Sequence, residues 1–327
     1  MRRRELLGAL GVAAAVWPLP ARAQQRAIPV VGLVHTASPE TVADRLRAFR
    51  QGLKEAGYVE DDNVRIIYRF AENQNNRAPE LVADLVRRRV AVIATLNNVS
   101  TLAAKAAAGR IPVVFSVNED PVGLGLVESL ARPGGNMTGI NFLSGELVAK
   151  RLELLRELVP GVSRLAVIVD PTNPTNTRTT VRAVEVAAGA MGLKLQLLNA
   201  STSQEIDAAF VTLGRDRPDA LMVGTDGFFV SRRVQMAILA AKHSIVAFYG
   251  NREPTEVGGL ISYGTNISDT WRQVGVYAGR VLKGAKPADL PVVQASKFEL
   301  IINAQTARAL GLVVPPSLLA RADEVIE

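Results

Sequence analysis

Short apolar runs alternate with longer stretches of helical period along most of the chain. Ile28 to Val34, IPVVGLV, is a continuous apolar run of the kind buried on both faces of a parallel sheet. His35-Thr36-Ala37 reads as a turn, and Ser38-Pro39 as an N-cap followed by a first-turn proline. Val42, Leu46, Phe49 and Leu53 follow at helical spacing, and Gly57 closes that helix. Val64, Ile66, Tyr68 and Phe70 alternate as a second strand, Leu81, Val82 and Leu85 mark a helix, and Val90 to Ala94 is a third strand. The polar turn Thr95-Leu96-Asn97-Asn98 leads to Ser100, read as the cap of an Ala-rich helix, and Val113 to Ser116 is a fourth strand. This β-α-β-α-β-α-β order predicts a parallel sheet with helices on both faces.

A polar turn, Asn118-Glu119-Asp120-Pro121, follows the fourth strand. A short helix pattern then ends at Arg132-Pro133-Gly134-Gly135-Asn136, and a strand-like run from Met137 to Phe142 leads to Ser144, read as the cap of a new helix. Here the chain leaves one α/β lobe for another. The same grammar restarts with a helix over Leu147–Leu158. Strands follow at Arg164–Val169, Leu193–Leu198, Ala220–Val223 and Ile245–Tyr249, with helices between them, one of them capped by Ser203. Beyond Gly250 remain a strand from Gly259 to Tyr263, a helix from Ile267 to Leu282, a strand from Phe298 to Ile302 and a final helix. The economical route sends the chain back to the first lobe and then returns it to the second. The expected division is 24–143 plus 264–292 for the N-terminal lobe and 144–263 plus 293–327 for the C-terminal lobe. Crossings are expected near Phe142–Ser144, Asn251–Gly264 and Leu290–Phe298.

Residues 1–23 are set apart as a secretory signal peptide. Arg2, Arg3 and Arg4 form its basic region, Leu6 to Val16 its apolar run, and Ala21-Arg22-Ala23 its A-x-A cleavage site. The apolar run is too short to span a bilayer. Arg3-Arg4-Glu5-Leu6-Leu7 also resembles a twin-arginine signal. The expected location is the bacterial periplasm. With no Cys in the chain, disulfides and thiolate metal sites are excluded. The formal charge is +7, of which four Arg and one Glu of the signal carry +3, leaving about +4. Arg87-Arg88-Arg89 is the one basic run of three after the signal, better read as a solvated helix end than as a nucleic-acid patch.

Recognisable catalytic signatures are missing. His35 and His243 are the two histidines, and neither has metal-ligand spacing. There is no GxSxG, HExxH or P-loop. No cofactor, metal or catalytic residue is assigned. What remains is polar groups near strand ends, where open α/β sheets bind ligands. In the first lobe these are His35, Thr36, Ser38, Asn97, Asn98, Ser116, Asn118, Asp120 and Asn141. In the second they are Asp170, Thr172, Asn173, Thr225, Asp226, Tyr249 and Asn251, with Phe228 as an aromatic wall. Helix N-termini after such turns favour a carboxylate, and an Asp can hold an ammonium. Any single Ser or Asn is as well explained by capping or an Asx-turn. An exported hydrolase would instead need Asp120 to converge with Asp170 or Asp226 as an acid–base pair. A ligand-sensing partner of a membrane receptor would share fold and site with a solute-binding protein.

Several blocks of the chain resemble one family. They are VGLVHTASPE with FRQGLKEAGY, NEDPVGLGLVESLARPGGNMTGI, AKRLELLRELVP, INAQTARALGL and the terminal PPSLLARADEVIE. The chain is similar to the ABC transporter substrate-binding proteins that include the tryptophan/tyrosine-type binding proteins. The resemblance implies a class I periplasmic binding protein fold, α/β with two Rossmann-like doubly wound lobes joined by a three-crossing hinge. It implies a small-molecule solute in the inter-lobe cleft and an ABC permease in the inner membrane as partner. A monomer without nucleic-acid binding is expected. Where such proteins usually have a Thr-Gly-Gly-like turn after the third strand, this chain has Leu96-Asn97-Asn98.

Overall fold

The structure is a computed structural model and describes residues 28–142 and 145–327. The assigned signal peptide and Ser144 lie outside the described residues. The first lobe opens with β1 (Val30–His35), α1 (Ala43–Glu55), β2 (Arg65–Phe70), α2 (Ala78–Arg87), β3 (Val92–Thr95), α3 (Asn98–Ala107), β4 (Val113–Val117) and β5 (Met137–Asn141). The second contains α4 (Leu147–Leu158), β6 (Arg164–Val169), α5 (Pro174–Ala190), β7 (Lys194–Asn199), α6 (Ser203–Asp216), β8 (Ala220–Val223), α7 (Gly227–Ser231), α8 (Arg233–Lys242), β9 (Ala247–Tyr249), α9 (Glu253–Glu256) and β10 (Ile261–Thr265). After these come α10 (Ile267–Leu282), β11 (Val293–Gln294), β12 (Phe298–Asn303), α11 (Ala304–Ala309), α12 (Pro316–Leu319) and β13 (Glu324–Ile326).

Two sheets result. The first has the order β11-β5-β4-β3-β1-β2, all parallel, and the second β13-β12-β10-β9-β8-β6-β7, antiparallel only at β10–β12. Strand residues feed the two faces alternately, as the period-2 pleat requires. Val31 and Leu33 pack on one side of the first sheet and Val34 on the other. In β6, Leu165, Val167 and Val169 enter one core, Ala166 and Ile168 the opposite one. Helices cover both faces of each sheet, so the apolar runs of the sequence are buried on both sides.

The late helix α10 belongs to the first lobe. Its Trp271, Val274, Tyr277, Ala278 and Val281 share a core with Val31, Leu33 and Phe49. The chain therefore passes between the sheets after β5, between β10 and α10, and between β11 and β12. Two strand ends lie across the expected boundaries. β10 pairs with β12 as far as Thr265, and Val293–Gln294 still pairs with Ile140–Asn141 of β5. The helix expected before Arg132 is replaced by turns over 121–125 and irregular chain beyond. Asp120 accepts from Val122 and Gly123 N–H, and Gly125 adopts a φ of 62°, a combination that closes one loop turn and stops helical propagation.

Candidate functional site

A cleft partly open to solvent lies between the lobes. It is walled by residues just past the carboxyl ends of β1, β2, β3, β4, β6, β7, β8 and β9. The structure brings together there His35, Thr36, Asn97, Asn98, Asn118, Asp170, Thr172, Thr225, Asp226 and Phe228.

On the first lobe, Asn97 rather than Ser100 caps α3. Its Oδ1 accepts from Ser100 N–H at 2.8 Å while its Nδ2 donates to Thr36 Oγ1 at 2.7 Å. Asn98 Oδ1 accepts from the Asn118 N–H at 3.2 Å, linking the ends of β3 and β4. The cleft floor is thus a braced polar network, not a set of loose side chains. His35 is buried against Trp271, ring centroids 5.1 Å apart, and its Nδ1 accepts from the Ala37 N–H at 3.0 Å. Burial, and then the Arg45 charge, lower its pKa to about 3. The ring is therefore neutral, and with Nδ1 accepting, its proton sits on Nε2, which makes it a donor. Glu119 is buried beside this network. Burial pushes its carboxyl up, against the pull of the Asn98 amide and of the Arg178 charge on α5 of the second lobe.

The second lobe supplies acids. Asp170 accepts from Thr172 N–H at 2.9 Å and from the Ser201 hydroxyl at 2.8 Å. Asp226 caps α7, accepting from Phe228 N–H at 2.8 Å, and takes a bond from Asn173 Nδ2 at 2.9 Å. Burial raises the Asp226 pKa, the Phe228 and Asn173 bonds oppose this, and the neighbouring Asp170 charge adds to the rise. An acid raised in part by a second acid's charge favours a cation beside it. Thr225 Oγ1 is buried with no hydrogen-bond partner in the protein. Phe228 is partly exposed to the cleft, its ring 5.3 Å from that of Phe229, which is core.

Five expected residues are not part of the cleft wall. Ser38 bonds Thr41, its Oγ 3.0 Å from Thr41 Oγ1, and Thr41 takes the place in the wall. Ser116 is fully buried in β4, because every residue of a strand covered on both faces is core. Asn141 donates to the carbonyls of Val117 and Glu119, tying β5 to the end of β4. Asp120 is exposed and accepts from Val122 and Gly123 N–H in an Asx-turn, whereas Asp170 and Asp226 line the cleft. Tyr249 is core; burial pushes its hydroxyl up.

Residues that sequence reasoning passed over are Arg45, Asn73, Asn75, Asn176 and Ser201, all of which line the cleft. Asn73, Asn75 and Ser201 follow the ends of β2 and β7, so the strand-end rule, extended to those strands, finds them. Arg45 has no local signal. It is paired with Glu253 on the other lobe, Nε to Oε1 2.9 Å, across 208 positions of sequence. Among the described residues, no group of three or more His, Cys, Asp or Glu is arranged to hold a metal, and no helix is long and apolar enough to cross a membrane.

Two doubly wound lobes with a polar cleft at their strand ends define a solute-binding architecture. The chain belongs to the ABC transporter substrate binding protein family, whose pattern matches residues 30–326. A tyrosine-binding protein of Clostridioides difficile strain R20291 is 28% identical over 283 residues, 86% of this chain and 81% of the relative. The crystal structure of an ABC domain in complex with L-Trp, from Streptococcus pneumonia, gives a TM-score of 0.84 at 26% identity, covering 91% of this chain and 99% of that one. The ligand-free, open structure of a substrate binding protein with adhesive properties, from Clostridium difficile, gives 0.68 at 25% identity and the same coverage.

Proposed function

We propose that this protein is the periplasmic solute-binding component of an ABC importer. It closes on a small carboxylate-bearing solute, aromatic or amino-acid-like, and delivers it to a permease in the inner membrane. The observation that carries this reading is the polarity of the cleft. Asp170 and Asp226 stand on the second lobe, whereas the first lobe presents His35 as a neutral donor and the N-terminus of α3 behind Asn97. A zwitterion fits that polarity, with its ammonium toward the acids and its carboxylate toward the first lobe. Phe228 covers the body of the solute. The tyrosine-binding relative and the L-Trp complex support an aromatic amino acid as the solute class. The segment 1–23 acts as the export signal.

A thermal-shift panel tests this. A solute that binds only the folded state stabilises it by about 2.7 kcal/mol at a hundredfold excess over Kd. L-Tyrosine and L-tryptophan are expected to raise the Tm of the chain from Gln24 onward, with little response to neutral sugars. A panel in which only sugars raise the Tm overturns the proposal.

A further inference from the structure

The cleft holds one permanent cation among its described wall residues, Arg45 of α1. Its side chain is 11% exposed. Both Nε and Nη2 donate to Glu253 Oε1 of α9, on the other lobe. An arginine has five N–H donors in a planar fork. Two are used on Glu253, and three remain beyond those bonds. Burial would raise the Glu253 pKa, but the Arg45 charge, its hydrogen bonds and the charge of Arg233 hold it low, so the pair with Arg45 is an ion pair. His35, whose pKa the Arg45 charge lowers, lies close by on the same lobe. Asp170 and Asp226 line the opposite lobe.

We infer that Arg45 is the residue that contacts the carboxylate of the solute, and that Glu253 presents it by fixing the guanidinium from across the cleft. This rests on the solute reading above and deepens it. Arg45 and Glu253 stand on different lobes, so opening the cleft separates them and releases Arg45 to water. Recognition of the anion is thereby tied to closure. A charge-assisted bond made in a closed, poorly solvated cleft is stronger than one to a mobile surface arginine. Specificity follows from the same geometry: an amide in place of the carboxylate loses the ionic partner but keeps the size of the solute.

The test is calorimetry on the chain from Gln24 onward with L-tyrosine and L-tyrosinamide, for the wild type, Arg45→Gln, Arg45→Lys and Glu253→Gln. The wild type should favour the acid by at least tenfold. Arg45→Gln should lose most of that preference, bringing acid and amide within about threefold. Arg45→Lys, which keeps the charge but not the fork, should fall between them. Glu253→Gln should weaken the acid while leaving some preference for it. A purely structural role for Arg45 would weaken both compounds equally and overturn the inference. If the wild type prefers the acid and Arg45→Gln keeps that preference, this inference alone fails. If the wild type does not prefer a carboxylate at all, the solute reading falls and takes this inference with it.

Discussion

Gly275 of α10 faces Gly52 of α1 so closely that a methyl group on Gly275 would lie 2.1 Å from the Phe49 carbonyl oxygen and 3.1 Å from the Gly52 carbonyl carbon. A methyl on Gly52 would lie 1.8 Å from the Arg272 carbonyl oxygen. The late helix is thus locked into the first lobe by backbone contact, not only by apolar side chains. Gly275→Ala should destabilise the first lobe by about 1–3 kcal/mol or more, the range of overpacked cores. Gly189→Ala on α5 is the control, since no neighbour lies within 4 Å of the added atom. It should be neutral or stabilise by about 0.5–1 kcal/mol, as in an open helix position. Urea midpoints measure both. Equal midpoints for the two variants would mean that the α1–α10 contact is looser than described.

Acidification should weaken the fold through His35. Its folded pKa is about 3, set by burial and then by the Arg45 charge, and its unfolded value is about 6.5. Between those values the unfolded chain binds a proton that the folded chain does not. Stability attributable to His35 is therefore intact above about pH 6.5 and falls by about 1.4 kcal/mol per unit as the pH drops toward 3. Urea unfolding at pH 7, 6 and 5 should show a steeper loss in the wild type than in His35→Gln. Parallel pH profiles would show that His35 is not held neutral.

Asp226→Asn should separate binding from folding. Asn can still accept the Phe228 N–H, so the cap of α7 survives, and the repulsion from the Asp170 charge is relieved. The Tm without solute should hold or rise. Affinity for L-tyrosine should fall at least tenfold, while affinity for its analogue lacking the amino group should change little. A variant that binds both compounds as the wild type does would remove Asp226 from the ammonium site.

Phe228→Ala should weaken an aromatic solute without unfolding the chain, because Phe228 lines the cleft and Phe229 is the ring committed to the core. Circular dichroism with calorimetry reads the two effects apart. A collapse of the fold would make Phe228 a core residue instead.

Regular elements were legible where local chemistry had one solution. Ile267–Leu282 is a helix over the residues that the pattern marked, bounded by the Asn266 cap. Caps were less legible where two polar residues compete. Asn97 caps α3 and Thr202 caps α6, where Ser100 and Ser203 were expected; the neighbouring side chain had the extended backbone that a cap needs. The strand-end rule marked Thr36, Asn98, Asp170 and Asp226, which line the cleft, but it does not say which way a turn residue points. Asp120 satisfied that rule and turned to its own backbone. Arg45 was invisible for another reason. Its position within α1 looks like any solvated helix residue until Glu253 arrives from the second lobe.

Calorimetric titration of L-tyrosine and L-tryptophan into the chain from Gln24 onward decides whether the cleft takes a carboxylate-bearing aromatic solute. One saturable site is expected, with a micromolar or tighter Kd, about −8 kcal/mol or better, and weaker binding of the corresponding amides. Equal affinity for acid and amide, or tight binding of neutral sugars alone, would contradict it.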